Sequence, residues 1–229
     1  MNEKGKRFFE LLARVERENL EGKRIAVLLY SLAKSNYSVT KNYSELLSAL
    51  KKPENDLAVW DIKNRATFKQ ILWELTRLLN NYLSSTYSLI EHYTTFCNEL
   101  KWSELNEAYS EEKNLLLNND CIKFVKDLRT FSQQMVLPLF VSQLSANKEG
   151  IKMRILLEKD KLMKWSKISS SSKRYIHLKK EIQLRIVLEE YQFLNSNFYD
   201  WFVKTVSKLY NRRLKELSEV ESEIAKYSS

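Results

Sequence analysis

The chain has 229 residues, with 38 Lys and Arg against 29 Asp and Glu, a formal charge of +9. Three glycines and two prolines leave few tight turns, while 44% hydrophobic and 12% aromatic residues suit a buried core and exclude a disordered chain. The two cysteines and two histidines lack metal-ligand spacing, and no glycine-rich phosphate loop or nucleophile motif with a nearby histidine is present; kinase, dehydrogenase and metalloprotease chemistry, and any metal or cofactor, are therefore not expected.

The opening MNEKGKRFFELLARVEREN breaks its apolar residues with charges, so no signal-peptide core is expected. The longest apolar runs, IAVLLY at 25–30 and MVLPLFV at 135–141, are too short to cross a bilayer. A soluble, cytoplasmic chain without membrane contact is the expectation, with Cys97 and Cys121 as buried, reduced thiols.

Residues 5–18 and 24–35 are predicted as two helices joined near Gly22, and 42–52 as a third that Pro53 ends. Residues 53–60 then form a linker. The stretch 1–56 reads as an N-terminal helical extension and 57–229 as the main bundle.

The strongest periodicity follows. Phe68, Leu72, Leu75, Leu79, Tyr82, Thr86, Leu89, Tyr93, Phe96 and Leu100 alternate in steps of four and three, which predicts one helix from near 61 to 100. Helices to cover this seam are expected at 103–116, in the segment presenting Cys121, Phe124, Val125, Leu128 and Phe131, and in a long C-terminal helix. That last helix carries Val187, Tyr191, Leu194, Phe198 and Trp201, with the spacing weakening at Thr205. The fold class is mainly α, an antiparallel helical bundle. Ile151, Met153 and Ile155 alternate with Lys152 and Arg154 after an NKEG turn, so a β-hairpin is expected at 139–157. Such a hairpin is marginal alone and needs helices or another chain to pack on. KISSSSKR at 167–174 reads as a cationic loop, either a solvated connector or a phosphate-contacting surface.

The charge is regional. Between 148 and 185 twelve basic residues face four acidic ones, which accounts for eight of the nine net charges. A polyanion is the partner such a surface suits. Lys164, Lys167, Lys173, Arg174, His177, Lys179 and Lys180 are the candidate contacts.

FVKDLRTFSQQMVLP at 124–138 carries Leu128, Arg129, Phe131, Leu137 and Pro138 in the order of a motif found in an uncharacterised family of bacterial helical proteins related to the HEPN superfamily. RLLNNYLSSTYSLIEH (77–92), EKDKLMKW (158–165) and LEEYQFLNSNFYDWF (188–202) resemble further blocks of that family, so the resemblance spans roughly 65–205. It implies a HEPN-like bundle, a homodimer and a metal-independent ribonuclease site. In that site an arginine holds the scissile phosphate and a histidine moves a proton. Arg129 matches the arginine, but Thr130 stands where the family has asparagine and Gln134 where it has histidine. An amide does not titrate near neutral pH and cannot carry the proton. The implied function is RNA association with impaired cleavage, in a bacterial defence or toxin–antitoxin setting.

Two other readings stand beside it. His92, on the predicted long helix, would serve as a substitute proton carrier if it lined the cleft of Arg129. Alternatively the chain is a dimerisation or protein-interaction module without nucleic-acid function, with Trp60, Trp102 and Trp165 as anchors for a partner protein.

Overall fold

A computed structural model describes residues 3–17, 21–56, 62–134, 140–147 and 150–228. Nine helices and one two-stranded antiparallel sheet run through these residues in the order α1 (Glu3–Arg17), α2 (Glu21–Asn55), α3 (Arg65–Leu100), α4 (Ser103–Asn118), α5 (Asp120–Gln134), β1 (Phe140–Asn147), β2 (Gly150–Leu157), α6 (Lys159–Lys164), α7 (Ser170–His177), α8 (Leu184–Leu209) and α9 (Asn211–Ser228). A 3₁₀ turn at Ile62–Asn64 leads into α3. The molecule is mainly helical, with the expected hairpin inserted between α5 and α6.

The 4-3 seam becomes the buried face of α3. Leu75, Leu79, Tyr82, Thr86, Leu89, Tyr93, Phe96 and Leu100 are all buried, and the helix ends where Lys101 turns left-handed at φ 53°. Each such leucine or phenylalanine contributes about 1.5–3 kcal/mol relative to exposure. Around Tyr93, the rings of Phe96, Tyr109, Phe198 and Phe202 meet edge-on or tilted, the Tyr93–Phe202 centroids 4.9 Å apart. This aromatic knot ties α3 to α4 and α8.

The stretch 1–56 behaves differently from its sequence pattern. The helices expected at 24–35 and 42–52 are one continuous α2, because no glycine or proline separates them. Pro53 does not end it: the proline is buried in the last turn, and Asp56 N–H still donates to the Lys52 carbonyl at 3.0 Å. Gly22, Ile25, Leu32, Ser35, Val39, Leu46, Leu50 and Pro53 form a buried stripe along it. Its leucines, Ile25 and Val39 belong to the same core cluster as α3 and α8. α2 runs antiparallel to α3, since Arg24 meets Glu99 at one end while Asn42 reaches the Asn81 carbonyl, at 3.4 Å, farther along.

Two other boundaries also differ. The C-terminal helix breaks at Tyr210, whose ring lies tilted against Trp102 with centroids 4.1 Å apart, and α9 continues beyond to pack on α1 and α2. The KISSSSKR stretch is a loop only over 167–169: Ser170–His177 is helical, for reasons taken up below. Residues 57–61, 135–139 and 148–149 lie outside the described residues, and with them Trp60, Leu137, Pro138 and the centre of the hairpin turn.

The crossing of α2 and α9 depends on Gly22. A Cβ there would sit 2.3 Å from the backbone oxygen of Arg213 and 3.1 Å from Leu217 Cβ. Helix propensity alone would make Gly22→Ala stabilising by about 1 kcal/mol, whereas overpacking costs about 1–3 kcal/mol. Urea unfolding followed by circular dichroism is expected to show a net loss of stability. A gain would mean that α9 yields readily at this crossing.

Candidate nucleic-acid interface

α5 buries Cys121, Ile122, Phe124, Val125, Leu128 and Phe131, as its apolar spacing requires. Arg129 follows Leu128 at the edge of that stripe. Its guanidinium carbon lies 4.1 Å from the centre of the Tyr87 ring, a cation–π stack across to α3. Its Nε is buried without a hydrogen-bond partner, and among the described residues no carboxylate pairs with the side chain. Tyr87 remains 46% exposed, so the stack lies at the surface of the α3–α5 junction.

Gln134 is exposed at the end of α5, and its amide oxygen accepts a hydrogen bond from Lys167 Nζ at 3.0 Å. Five helical positions place it about 140° around the helix from Arg129. The two side chains therefore do not converge within one copy of the chain. His92 stands elsewhere again: it lines an open groove of about 420 Å³ between α2 and α3 with Ser31, Lys34, Ser35, Ser38, Ser85 and Ser88. On α3 it is likewise five positions, about 140°, from Tyr87. The structure does not bring His92 to the arginine.

The serine run folds because of α5. Ser169 caps α7, its hydroxyl accepting from Ser172 N–H at 3.2 Å. Asp127 accepts from Ser169 N–H at 2.8 Å and from the Ser172 hydroxyl at 2.7 Å, and Ser172 is fully buried. Farther along, Arg174 makes two bonds to Asp120 at 2.6 and 2.7 Å. These bonds hold the Asp120 carboxyl below its ordinary value of 3.8, so the link is intact above that pH and is lost as pH falls through the lowered value. Tyr175 stacks on Phe124 at 4.9 Å and donates its hydroxyl to Glu190 at 2.7 Å, fastening α7 to α8 as well. Tyr175 and Ile176 thereby point inward, and Lys173, Arg174 and His177 point out.

Ion pairing sorts the candidate cations. Arg174 is taken by Asp120, and Lys179 lies 3.5 Å from Glu190 and 4.4 Å from the Tyr175 ring centre. Among the described residues Arg154, Lys164, Lys173 and Lys180 have no carboxylate partner. Arg154, Lys179, Lys180, Gln183 and Ile186 line an open groove of about 470 Å³ beside β2. Glu181, also in that wall, is engaged by the Gln143 amide.

Reasoning from the sequence missed Tyr87, which falls off the seam and gave no periodic signal, and Asp127, whose role exists only once α7 is folded. Arg154 was visible in the hairpin alternation and in the regional charge, but was not singled out as a contact. Trp102 and Trp165, read as partner anchors, pack on Tyr210 and, at 5.3 Å, on Phe131. No group of three or more His, Cys, Asp or Glu side chains among the described residues is placed to hold a metal ion, and no described helix is long and apolar enough to cross a membrane.

No family model, curated protein or solved structure matches the chain.

Burial raises the thiols of both Cys97 and Cys121 to about 12. Only a minute fraction is thiolate at neutral pH, and thiolate is the reactive form. A thiol-specific dye is expected to leave both cysteines unlabelled in the folded protein and to label both in guanidinium. Rapid labelling of the folded chain would show that one of them reaches the surface.

Proposed function

We propose that the chain is a HEPN-like RNA-associated protein that holds RNA on the face formed by α6, α7 and the groove beside β2, and that cleaves it poorly or not at all. A bacterial defence or toxin–antitoxin setting fits such a protein. The observation that carries this reading is that the charged groups of Arg154, Lys164, Lys173 and Lys180 have no polar partner among the described residues, whereas Lys159 and Lys167 are engaged by the Lys179 carbonyl and the Gln134 amide. Phosphates are the ligands that would neutralise those four cations.

Impaired cleavage follows from position 134. Gln134 offers a hydrogen bond but no transferable proton, and its neighbour Lys167 would depress the pKa of any histidine placed there. Arg129, with no carboxylate to neutralise it, keeps its charge for a phosphate. Because Arg129 and Gln134 face apart within one chain, a complete site would draw on a second copy across a two-fold axis, and a homodimer belongs to this reading.

Fluorescence anisotropy with a short single-stranded RNA tests the binding. Four neutralised phosphates give a slope of about −2.8 in log affinity against log salt, a loss of about 50-fold between 50 and 200 mM. Arg154→Glu with Lys180→Glu should weaken binding, and Asp120→Ala, which releases Arg174, should strengthen it. Absence of binding at low salt, or binding indifferent to salt, would remove the proposal. A cleavage assay on the native chain, Gln134→His and Gln134→His/Arg129→Ala addresses the chemistry. The native chain is expected to leave RNA intact; cleavage by the first variant that the second abolishes identifies a retired site.

A helical interaction module without nucleic-acid function is the second reading. It is favoured by Leu115 and Phe193, 67% and 65% exposed, near a groove between α4 and α8 that Leu115, Leu116, Leu194 and Phe198 line.

A further inference from the structure

The two edges of the hairpin differ. Leu157 N–H donates to the Ile182 carbonyl at 2.8 Å, and Leu156 bridges to Gln183, so the C-terminal end of the outer edge of β2 is covered by the segment that follows α7. β2 also packs on α2 and α8, whereas β1 has β2 as its principal neighbour, with Phe140 buried at its start. Among the described residues no strand pairs with the other side of β1.

The register shows which groups that open side presents. Leu157 turns its backbone groups toward Ile182, and its partner across the ladder is Phe140. In an antiparallel ladder the two members of such a pair both face outward, and the orientation alternates along the strand. Phe140, Ser142, Leu144 and Ala146 therefore aim their N–H and C=O groups at the open edge, while Val141, Gln143, Ser145 and Asn147 bond to β2. Val141 is 39% exposed and Ser142 is exposed.

Edge strands are ordinarily blunted by lysines, prolines or bulges. FVSQLSAN has no charge and no proline over eight residues, and its pairing with β2 runs without a bulge. The cations carried by the two strands, Lys152 and Arg154, both sit on β2 instead.

We propose that a second copy of the chain covers this edge, the two β1 strands pairing antiparallel across a two-fold axis to make a four-stranded sheet in the order β2–β1–β1–β2. The charge distribution selects a copy. The two cation-bearing β2 strands end three strand spacings apart, about 14 Å, beyond the roughly 8 Å over which charges act at physiological salt. A chain of net charge +9 can meet itself here without opposing cations, which its α6–α7 face would not permit. The proposal does not rest on RNA binding, and losing the sheet need not abolish binding of RNA to the α6–α7 face.

Sedimentation equilibrium of the full chain is expected to show a reversible dimer. Ser142→Pro removes one outward N–H and spares the ladder to β2, a substitution that edge strands tolerate; Ser142→Lys adds a charge to the edge. Each should weaken the dimer by at least about ten-fold with helical circular dichroism unchanged. Hydrogen exchange on the native chain gives a readout that needs no variant: the Ser142 and Leu144 amides should slow as concentration rises through the dissociation constant. A chain that stays monomeric at every concentration overturns the proposal. So does a dimer that both folded variants leave intact, or one in which those two amides exchange as fast as in the monomer.

Discussion

A single helix of 36 residues, α3, carries a stripe that cannot be left in water, and the placement of almost every other element answers to it. At 1.5 Å per residue it is about 54 Å long. No single neighbour covers it entirely. α2 lies antiparallel along one side, while α4, α5 and α8 share the rest, meeting in the aromatic contacts around Tyr93. The surface residues of α5 and α8 are thereby fixed relative to one another, and the short α7 can fasten to both.

That fastening turns a sequence-level charge excess into a surface. Asp127 binds the cap of α7, Asp120 binds its middle through Arg174, and Glu190 anchors it from α8 through Tyr175. Three carboxylates or their partners are thus consumed in positioning the helix, while Lys164 on α6, Lys173 on the outer face of α7, and Arg154 and Lys180 in the groove beside β2 keep no carboxylate partner among the described residues. Net charge alone could not have separated Arg174 from Lys173, adjacent in sequence and different in availability.

Much of the fold was legible because its signals are apolar and periodic. The α3 seam, the α5 stripe and the alternating hairpin are all seen where their spacing puts them. The continuity of α2 was hidden because Ser35, a member of its buried stripe beside the expected break, is not hydrophobic, so the stripe reads as interrupted. α7 was hidden for a different reason: serines favour helix starts and turns alike, and the choice is made by Asp127, more than forty residues away in sequence. The candidate site shows the same limit. Arg129 and Gln134 could be found by pattern, but the stack on Tyr87 and the contact with Lys167 are tertiary facts that no local spacing encodes.

The clasp of α9 over α1 and α2 sets an order of events on the ribosome. Leu217 and Val220 are buried, and Arg7 reaches Glu223 at 3.2 Å, although 216 positions separate them. At translation rates of about 5–20 residues per second, the first two helices wait roughly ten to forty seconds for the segment that covers them. During that interval Leu11 and the start of α2 are unshielded from solvent and from neighbouring nascent chains, so holdase chaperones have their clearest opening at the N-terminal pair.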